Sequence, residues 1–304
     1  MTARLGLIGA GLWGRNYIRT LATFPTASLT RLASRNPEAG SWVGPACEIS
    51  SDWRDLIAAK DLDGVIIATP PSCHAEMLGA ALRRGLPALV EKPLTLDRDQ
   101  ALALKRQAEE NPAFVLVDHI YLFHPGYETL RARLKGRGPF SIESEGGNLG
   151  PYRPDAGPLW DYGPHDVALC LDLVGLPPAK VSARRAPKLP DIQGENIEIS
   201  LDFSDGSHAR LTVGNAWPAK RRRFTAKGDG QEYVFDDLDE TKLRFHDGEQ
   251  GSQAVAVSPD LPLNRCLNRF IEGLRSGSRD LSSLSLGVEV VDCLHRCESS
   301  LKQR

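Results

Sequence analysis

Nothing in this chain of 304 residues is apolar for long enough to cross a bilayer, since a spanning helix needs about 20 such residues. No charge excess stands out either. A formal net charge of -2 gives no electrostatic hold on nucleic acid or on an anionic membrane surface. The six cysteines are scattered. Cys47, Cys73, Cys170, Cys266, Cys293 and Cys297 show no CxxC spacing, and Cys293 and Cys297 have no histidine or second cysteine pair beside them. That argues against a zinc site or a disulfide framework and for core thiols in a reducing compartment. An apolar strand starts within five residues of Met1, with no secretory signal pattern before it. The sequence therefore predicts a cytoplasmic protein, with no internal repeat and no low-complexity tail.

What is present begins at the amino terminus. Leu5-Gly6-Leu7-Ile8 reads as a strand, Gly9-Ala10-Gly11-Leu12-Trp13-Gly14 follows, and a helix is expected from Arg15 to about Ala22. GxGxxG alone is a weak signal; between strand and helix it is a strong one for a dinucleotide. The first glycine allows the tight turn, the second lets backbone approach a pyrophosphate, and the third packs helix on strand. The helix start adds N–H donors and a positive dipole end.

Alternation continues. Ser28–Ala33 and Gly64–Ala68 read as strands, the latter apolar throughout, as in parallel sheets covered on both faces. Asp52 is a candidate cap for a helix carrying Trp53, Leu56 and Ile57. A helix through Ala75 to Leu82, the strand Leu86–Val90, a helix from Asp97 to about Glu109 and the strand Ala113–Val117 complete an α/β pattern. The predicted division is a dinucleotide-binding Rossmann domain, a doubly wound parallel sheet, over residues 1–118. A C-terminal α+β domain with an open, mainly antiparallel sheet is expected over 119–304.

Lys92 stands in Glu91-Lys92-Pro93, just beyond a buried strand. Open α/β sheets bind ligands past the carboxyl ends of their strands, so a lysine there points an ammonium at a ligand; a solvated strand end is the alternative. After the second strand comes Ser34-Arg35-Asn36, where NAD-binding proteins carry an acid. Serine donates to a 2′-phosphate and arginine pairs with it, which favours NADP(H) over NAD(H). A solvated or adenine-stacked Arg35 is the alternative.

Beyond residue 119 the texture changes. A helix with Tyr127, Leu130 and Leu134 precedes the stretch Gly146 to Pro154 and on to Gly157-Pro158, which reads as loop. A helix is expected to open near Pro164 and close near Gly175, carrying Asp161 and His165 at its start, four apart on one face. An acid that orients an imidazole is a device for acid–base work; an incidental pair on an ordinary helix face is the commoner origin of such spacing. Asn196–Phe203 and His208–Val213 alternate as a hairpin, and Arg223–Ala226, Glu232–Phe235 and Lys242–Phe245 add strands. Helices near Asn264–Leu274 and Leu286–Ser300 close the chain.

Together the glycine turn, Ala68-Thr69-Pro70-Pro71 with His74, Glu91-Lys92-Pro93, and Asp161 with His165 make the chain resemble the glucose-fructose oxidoreductase / inositol dehydrogenase (Gfo/Idh/MocA) family, over nearly its whole length. The resemblance implies a Rossmann domain followed by a domain whose sheet often joins subunits into dimers or tetramers. It implies Lys92 as the lysine that holds the substrate hydroxyl, His165 as general acid or base, and Asp161 as its partner. It places Gly9, Gly11, Leu12, Trp13, Gly14, Ser34, Arg35, Thr69, Pro70, His74, Glu91 and Lys92 at the cofactor. Asn148-Leu149-Gly150, Trp160-Asp161, Trp217 to Arg223, Gly228-Asp229-Gly230 and Phe235-Asp236-Asp237 are similar to the branch that oxidises or reduces sugar nucleotides. Arg221-Arg222-Arg223 would then face a diphosphate, unless it is a solvated or interface strand.

The implied activity is NAD(P)-dependent hydride transfer on a carbinol or keto carbon of a sugar or nucleotide-linked sugar, a small-molecule substrate. A polyol or dihydrodiol dehydrogenase and a non-catalytic NAD(P)-sensing regulator are the alternatives, the last disfavoured by Lys92 and His165 together. Two departures stand out. The chain is short for the family, and Ser34-Arg35 replaces the acid common in NAD-using members.

Overall fold

The computed structural model describes residues 2–111, 113–152, 156–188, 190–247 and 251–302. The chain divides into two compact units, Met1–Asp118 with Leu263–Val288, and His119–Pro262 with Glu289–Arg304.

In the first unit β1 (Ala3–Ile8), β2 (Ala27–Ala33), β3 (Glu48–Ser50), β4 (Gly64–Ile67), β5 (Ala88–Glu91) and β6 (Val115–Asp118) form one sheet in the order β3-β2-β1-β4-β5-β6. Every pairing is parallel. Its strands β4 and β5 are buried throughout and β1 everywhere but at Arg4, with Leu5, Leu7, Ile66 and Leu89 at 0% exposure. That explains their unbroken apolar runs, and each such side chain contributes roughly 1.5–3 kcal/mol. Between the strands run α1 (Leu12–Leu21), α2 (Trp53–Ala58), α3 (His74–Arg83) and α4 (Arg98–Glu110). Asp52 caps α2 by accepting from the Arg54 N–H, and Asp97 caps α4 through the Gln100 N–H. The order reverses between β1 and β4, so the crevice beyond their carboxyl ends is where such a sheet takes a ligand.

In the second unit α5 (Pro125–Leu134) precedes β7 (Phe140–Leu149), α6 (Pro158–Val174), β8 (Pro178–Arg185), β9 (Asn196–Phe203), β10 (His208–Gly214), β11 (Ala216–Gly228), β12 (Gln231–Asp236), β13 (Leu243–His246) and β14 (Ser252–Ala254). The strands make one sheet, β14-β13-β12-β11-β7-β10-β9-β8. Among the described residues only β7 and β10 pair in parallel. Ile197, Ile199, Leu201 and Phe203 of β9 are buried, while Glu198, Ser200 and Asp202 between them are not. The helices cover the apolar face, and the other face is polar.

Three expectations change. Gly146–Leu149 is strand, not loop. The glycines serve close packing: a Cβ on Gly146 would stand 2.3 Å from Asp166 Oδ2, and one on Gly147 2.1 Å from the Gly214 carbonyl oxygen. Arg153 and Pro154 of the expected loop lie outside the described residues. Second, α6 starts at Pro158, so Pro164 lies inside it. An interior proline costs about 3 kcal/mol. Burial of Leu159, Trp160, Tyr162 and Gly163 offsets it, with Gly163 pressed so closely on Leu294 that a Cβ would approach to 2.8 Å.

Third, α7 (Pro262–Ser276) and the start of α8 (Ser282–Lys302) belong with the first unit rather than the second. The apolar stripe of α7 (Cys266, Leu267, Phe270, Ile271) is buried, and Phe270 stacks on Phe114 at 6.0 Å. Gly273 lets α7 approach: a Cβ there would sit 2.2 Å from the Phe114 ring. Periodicity identified the helix; it carries no information on which unit the stripe faces. Among the described residues no helix is long and apolar enough to cross a membrane.

Candidate active site

The turn after β1 separates the three glycines by what surrounds them. Gly9 has φ 98°, and a Cβ on it would stand 2.5 Å from the Ala68 carbonyl oxygen at the end of β4. A Cβ on Gly14 would stand 2.1 Å from the Gly9 carbonyl oxygen. Gly11 is different, because a Cβ there would meet nothing within 4 Å. Gly11 is exposed, and it is the N-cap of α1. Two glycines are thus required by the protein itself, and the third leaves backbone open at a helix N-terminus, the arrangement that receives a phosphate. Leu12 beside it is 74% exposed, and Trp13 is half-buried.

Beyond β2 the Ser34 N–H donates to the Ser50 carbonyl at 2.9 Å, and the Asn36 N–H donates to Ser34 Oγ at 3.1 Å. Arg35 is exposed. Arg15, next to the glycine turn, lays its guanidinium 3.8 Å from the centroid of Trp42, which closes the short 3-10 turn Pro37–Trp42. This aromatic–cation pair ties the loop after β2 to the start of α1, and sequence reasoning did not anticipate it. Its one sequence signal is a tryptophan in that loop.

Thr69 is half-buried and Pro70 exposed where β4 ends. His74 is fully buried, with Nδ1 2.9 Å from the Pro93 carbonyl oxygen and Nε2 2.9 Å from that of Thr69. Burial holds its pKa below the usual histidine value despite both carbonyls. The ring links the ends of β4 and β5. Lys92 is half-buried where β5 ends, and the Lys92–Pro93 peptide is cis. The Glu91 carboxyl points into the protein, where the Tyr17 hydroxyl meets it at 3.0 Å and also meets Asp118.

In the second unit Asp161 and His165 lie one turn apart on α6, both half-buried. The His165 ring meets Tyr121 edge to face, centroids 5.0 Å apart. Arg222 of β11 lies 4.9 Å above the same tyrosine ring. The Tyr121 hydroxyl is pushed up by burial. Asp166, next to His165, is buried against the Ser144 hydroxyl, and burial raises its pKa to about 6. His124 Nε2 pairs with Asp237 at 3.2 Å and holds that carboxyl below its usual range. Tyr121, Ser144, Asp166 and Arg222 come from four segments far apart in sequence, so no local pattern announced their meeting. Of the basic run, Arg221 and Arg223 are exposed and Arg222 is half-buried.

Residues 3–119 match the oxidoreductase family with an NAD-binding Rossmann fold, and residues 129–234 match the GFO/IDH/MocA C-terminal domain. A solved structure from Magnetospirillum magnetotacticum MS-1, assigned in general terms to the oxidoreductases, is 41% identical. The alignment covers 98% of this chain and 100% of that one, with a TM-score of 0.89. The chain belongs to the Gfo/Idh/MocA oxidoreductase family. The chain is also similar to the UDP-N-acetylglucosamine 3-dehydrogenase of Acidithiobacillus ferrooxidans, 28% identical over 96% of this chain and 88% of that protein's length. The NADP(+) scyllo-inositol 2-dehydrogenase of Bacillus subtilis is 22% identical over 77% of this chain and 68% of its own.

Proposed function

We propose that this Gfo/Idh/MocA oxidoreductase uses NADP(H) in preference to NAD(H) and acts on a CH–OH or keto carbon of a sugar or nucleotide-linked sugar. The observation that carries the reading is a half-buried lysine at the end of β5, in the sheet whose β1 ends in the glycine turn left open at Gly11. Gly11 and the start of α1 would hold the pyrophosphate. Ser34 and Arg35 would take the 2′-phosphate, since no acid follows β2 directly to repel it. The nicotinamide, when bound, supplies or accepts a hydride.

Lys92 stabilises negative charge developing on the substrate oxygen through its ammonium. His165 takes the hydroxyl proton in oxidation and returns it in reduction, while Asp161, one turn earlier, fixes its orientation. The sugar-nucleotide substrate class is supported by the likeness to the UDP-N-acetylglucosamine 3-dehydrogenase. The inositol-type polyol is the second reading, supported by the Bacillus subtilis relative. A panel of nucleotide sugars, free sugars, inositols and diols, assayed in both directions with each cofactor by nicotinamide absorbance, separates them. Turnover confined to polyols overturns the substrate class, and no turnover with any carbinol overturns the enzyme reading. The polar face of the eight-stranded sheet is the proposed surface for a homodimer or homotetramer; a monomeric mass by light scattering counts against it.

A further inference from the structure

Behind Lys92 lies a group of ionisable side chains that the proposed chemistry does not use. Glu91 and Asp118 face each other in register at the ends of β5 and β6. Both are buried, at 6% and 1% exposure. The Tyr17 hydroxyl from α1 meets both, at 3.0 Å from Glu91 Oε1 and 2.5 Å from Asp118 Oδ2. Burial, and after it the Asp118 charge, raises the fully buried Cys266 thiol of α7 well above its usual range. The Lys92 charge acts on both carboxyls and on His74 of α3.

Counting protons restricts the state of this group. A phenol has one proton to donate. Burial keeps the Tyr17 hydroxyl protonated, so it donates to one carboxylate. Its contact with the other carboxyl is favourable only if that carboxyl donates back. Two ionised carboxylates side by side in a dry site would also repel, as in other carboxyl pairs that share a proton. Consistently, burial together with Asp118 raises Glu91 well above the usual carboxylate range, and burial pushes Asp118 up to about 6.

We infer that Glu91 and Asp118 hold one proton between them through Tyr17, and that the single negative charge left over is the counter-charge that keeps Lys92 an ammonium. Glu91, Asp118 and Tyr17 are then positioning residues, acting through Lys92. The shared proton stands independently of the activity; the positioning role rests on the part proposed for Lys92.

Infrared spectroscopy of the intact protein at neutral pH tests the proton directly. The wild type shows the C=O stretch of a protonated carboxylic acid, and Glu91→Gln and Asp118→Asn each remove or shift it. A spectrum whose acid band is unchanged in both variants overturns the shared proton. If either variant fails to fold, Tyr17→Phe keeps both carboxyls and moves the band by removing the link; an unmoved band again overturns it. The counter-charge is tested by the rate at which an amine-directed ester acylates Lys92 at mildly alkaline pH, read by mass spectrometry of its peptide. Losing a facing charge lowers an ammonium pKa by about one unit, so Glu91→Gln with Asp118→Asn accelerates acylation about tenfold. Asp118→Asn alone, which keeps one charge, stays within about twofold of wild type. Equal rates in wild type and double variant overturn the role. None of these measurements needs a substrate, so a failure here leaves the oxidoreductase reading standing, and absence of turnover leaves the shared proton standing.

Discussion

Lys92 and Arg35 put the proposal at risk most directly, one for chemistry and the other for cofactor choice. If Lys92 has the role proposed for it, replacing it with alanine removes the charge that stabilises the substrate oxygen, a loss on the order of 10²–10³ in kcat by the measure of single electrostatic donors. Cofactor affinity, measured by fluorescence titration, should stay near wild type; wild-type turnover in the variant counts against the role. Arg35→Ala should weaken NADP(H) binding about tenfold or more while leaving NAD(H) unchanged, because only the 2′-phosphate carries the extra charge. Equal loss for both cofactors would refute the phosphate contact. His165→Asn should flatten the acidic limb of the pH–rate profile for oxidation, since a base that protonates is no longer there to titrate.

At the scale of elements, the glycine turn makes a differential prediction. A Cβ at Gly14 collides with the Gly9 carbonyl at 2.1 Å, and both atoms belong to backbone. Gly14→Ala should therefore cost roughly 1–3 kcal/mol in denaturant unfolding. Gly11→Ala meets open space, should leave stability within about 0.5 kcal/mol, and should still reduce dinucleotide affinity by crowding the pyrophosphate. Loss of stability without loss of affinity at Gly11 would place the ligand elsewhere. The same turn shows what was legible from sequence. Strand, glycines and helix are contiguous there, so the local pattern sufficed. Gly146 and Gly147 are glycines for a non-local reason, the approach of Asp166 and Trp217, and local turn chemistry misread them as loop. Pro164 misled the start of α6 in the same way, because burial of the preceding turn overrides proline's local cost.

At the scale of the whole molecule, buried acids set a pH dependence of stability. Asp118 and Asp166 are buried, and both pKa values are raised from the usual 3.8 to about 6. Because the folded values lie above the unfolded ones, the folded protein binds more protons in that interval. Their stabilisation is complete below the ordinary carboxylate value and lost as pH rises through about 6. Asp237 has the opposite sign, held low by His124, so its window lies at more acid pH. Asp166→Asn should raise unfolding free energy at mildly alkaline pH by about 1–3 kcal/mol and flatten its fall with pH. An unchanged slope in urea titrations across that range would show that Asp166 titrates normally.

The sequence by itself determined the elements and their chemistry where neighbours in sequence are neighbours in space: the buried parallel strands, the glycine turn, Lys92 at the end of β5, and Asp161 and His165 one helical turn apart. The tertiary structure decided what depends on distant segments meeting. It gave α7 to the first unit through Phe114 and Gly273, set Tyr121 against His165 and Arg222 over the Tyr121 ring, and closed Tyr17, Glu91 and Asp118 into one group. The reason is physical. Periodicity and turn chemistry act within a few residues, whereas burial and electrostatic pairing are properties of the packed chain.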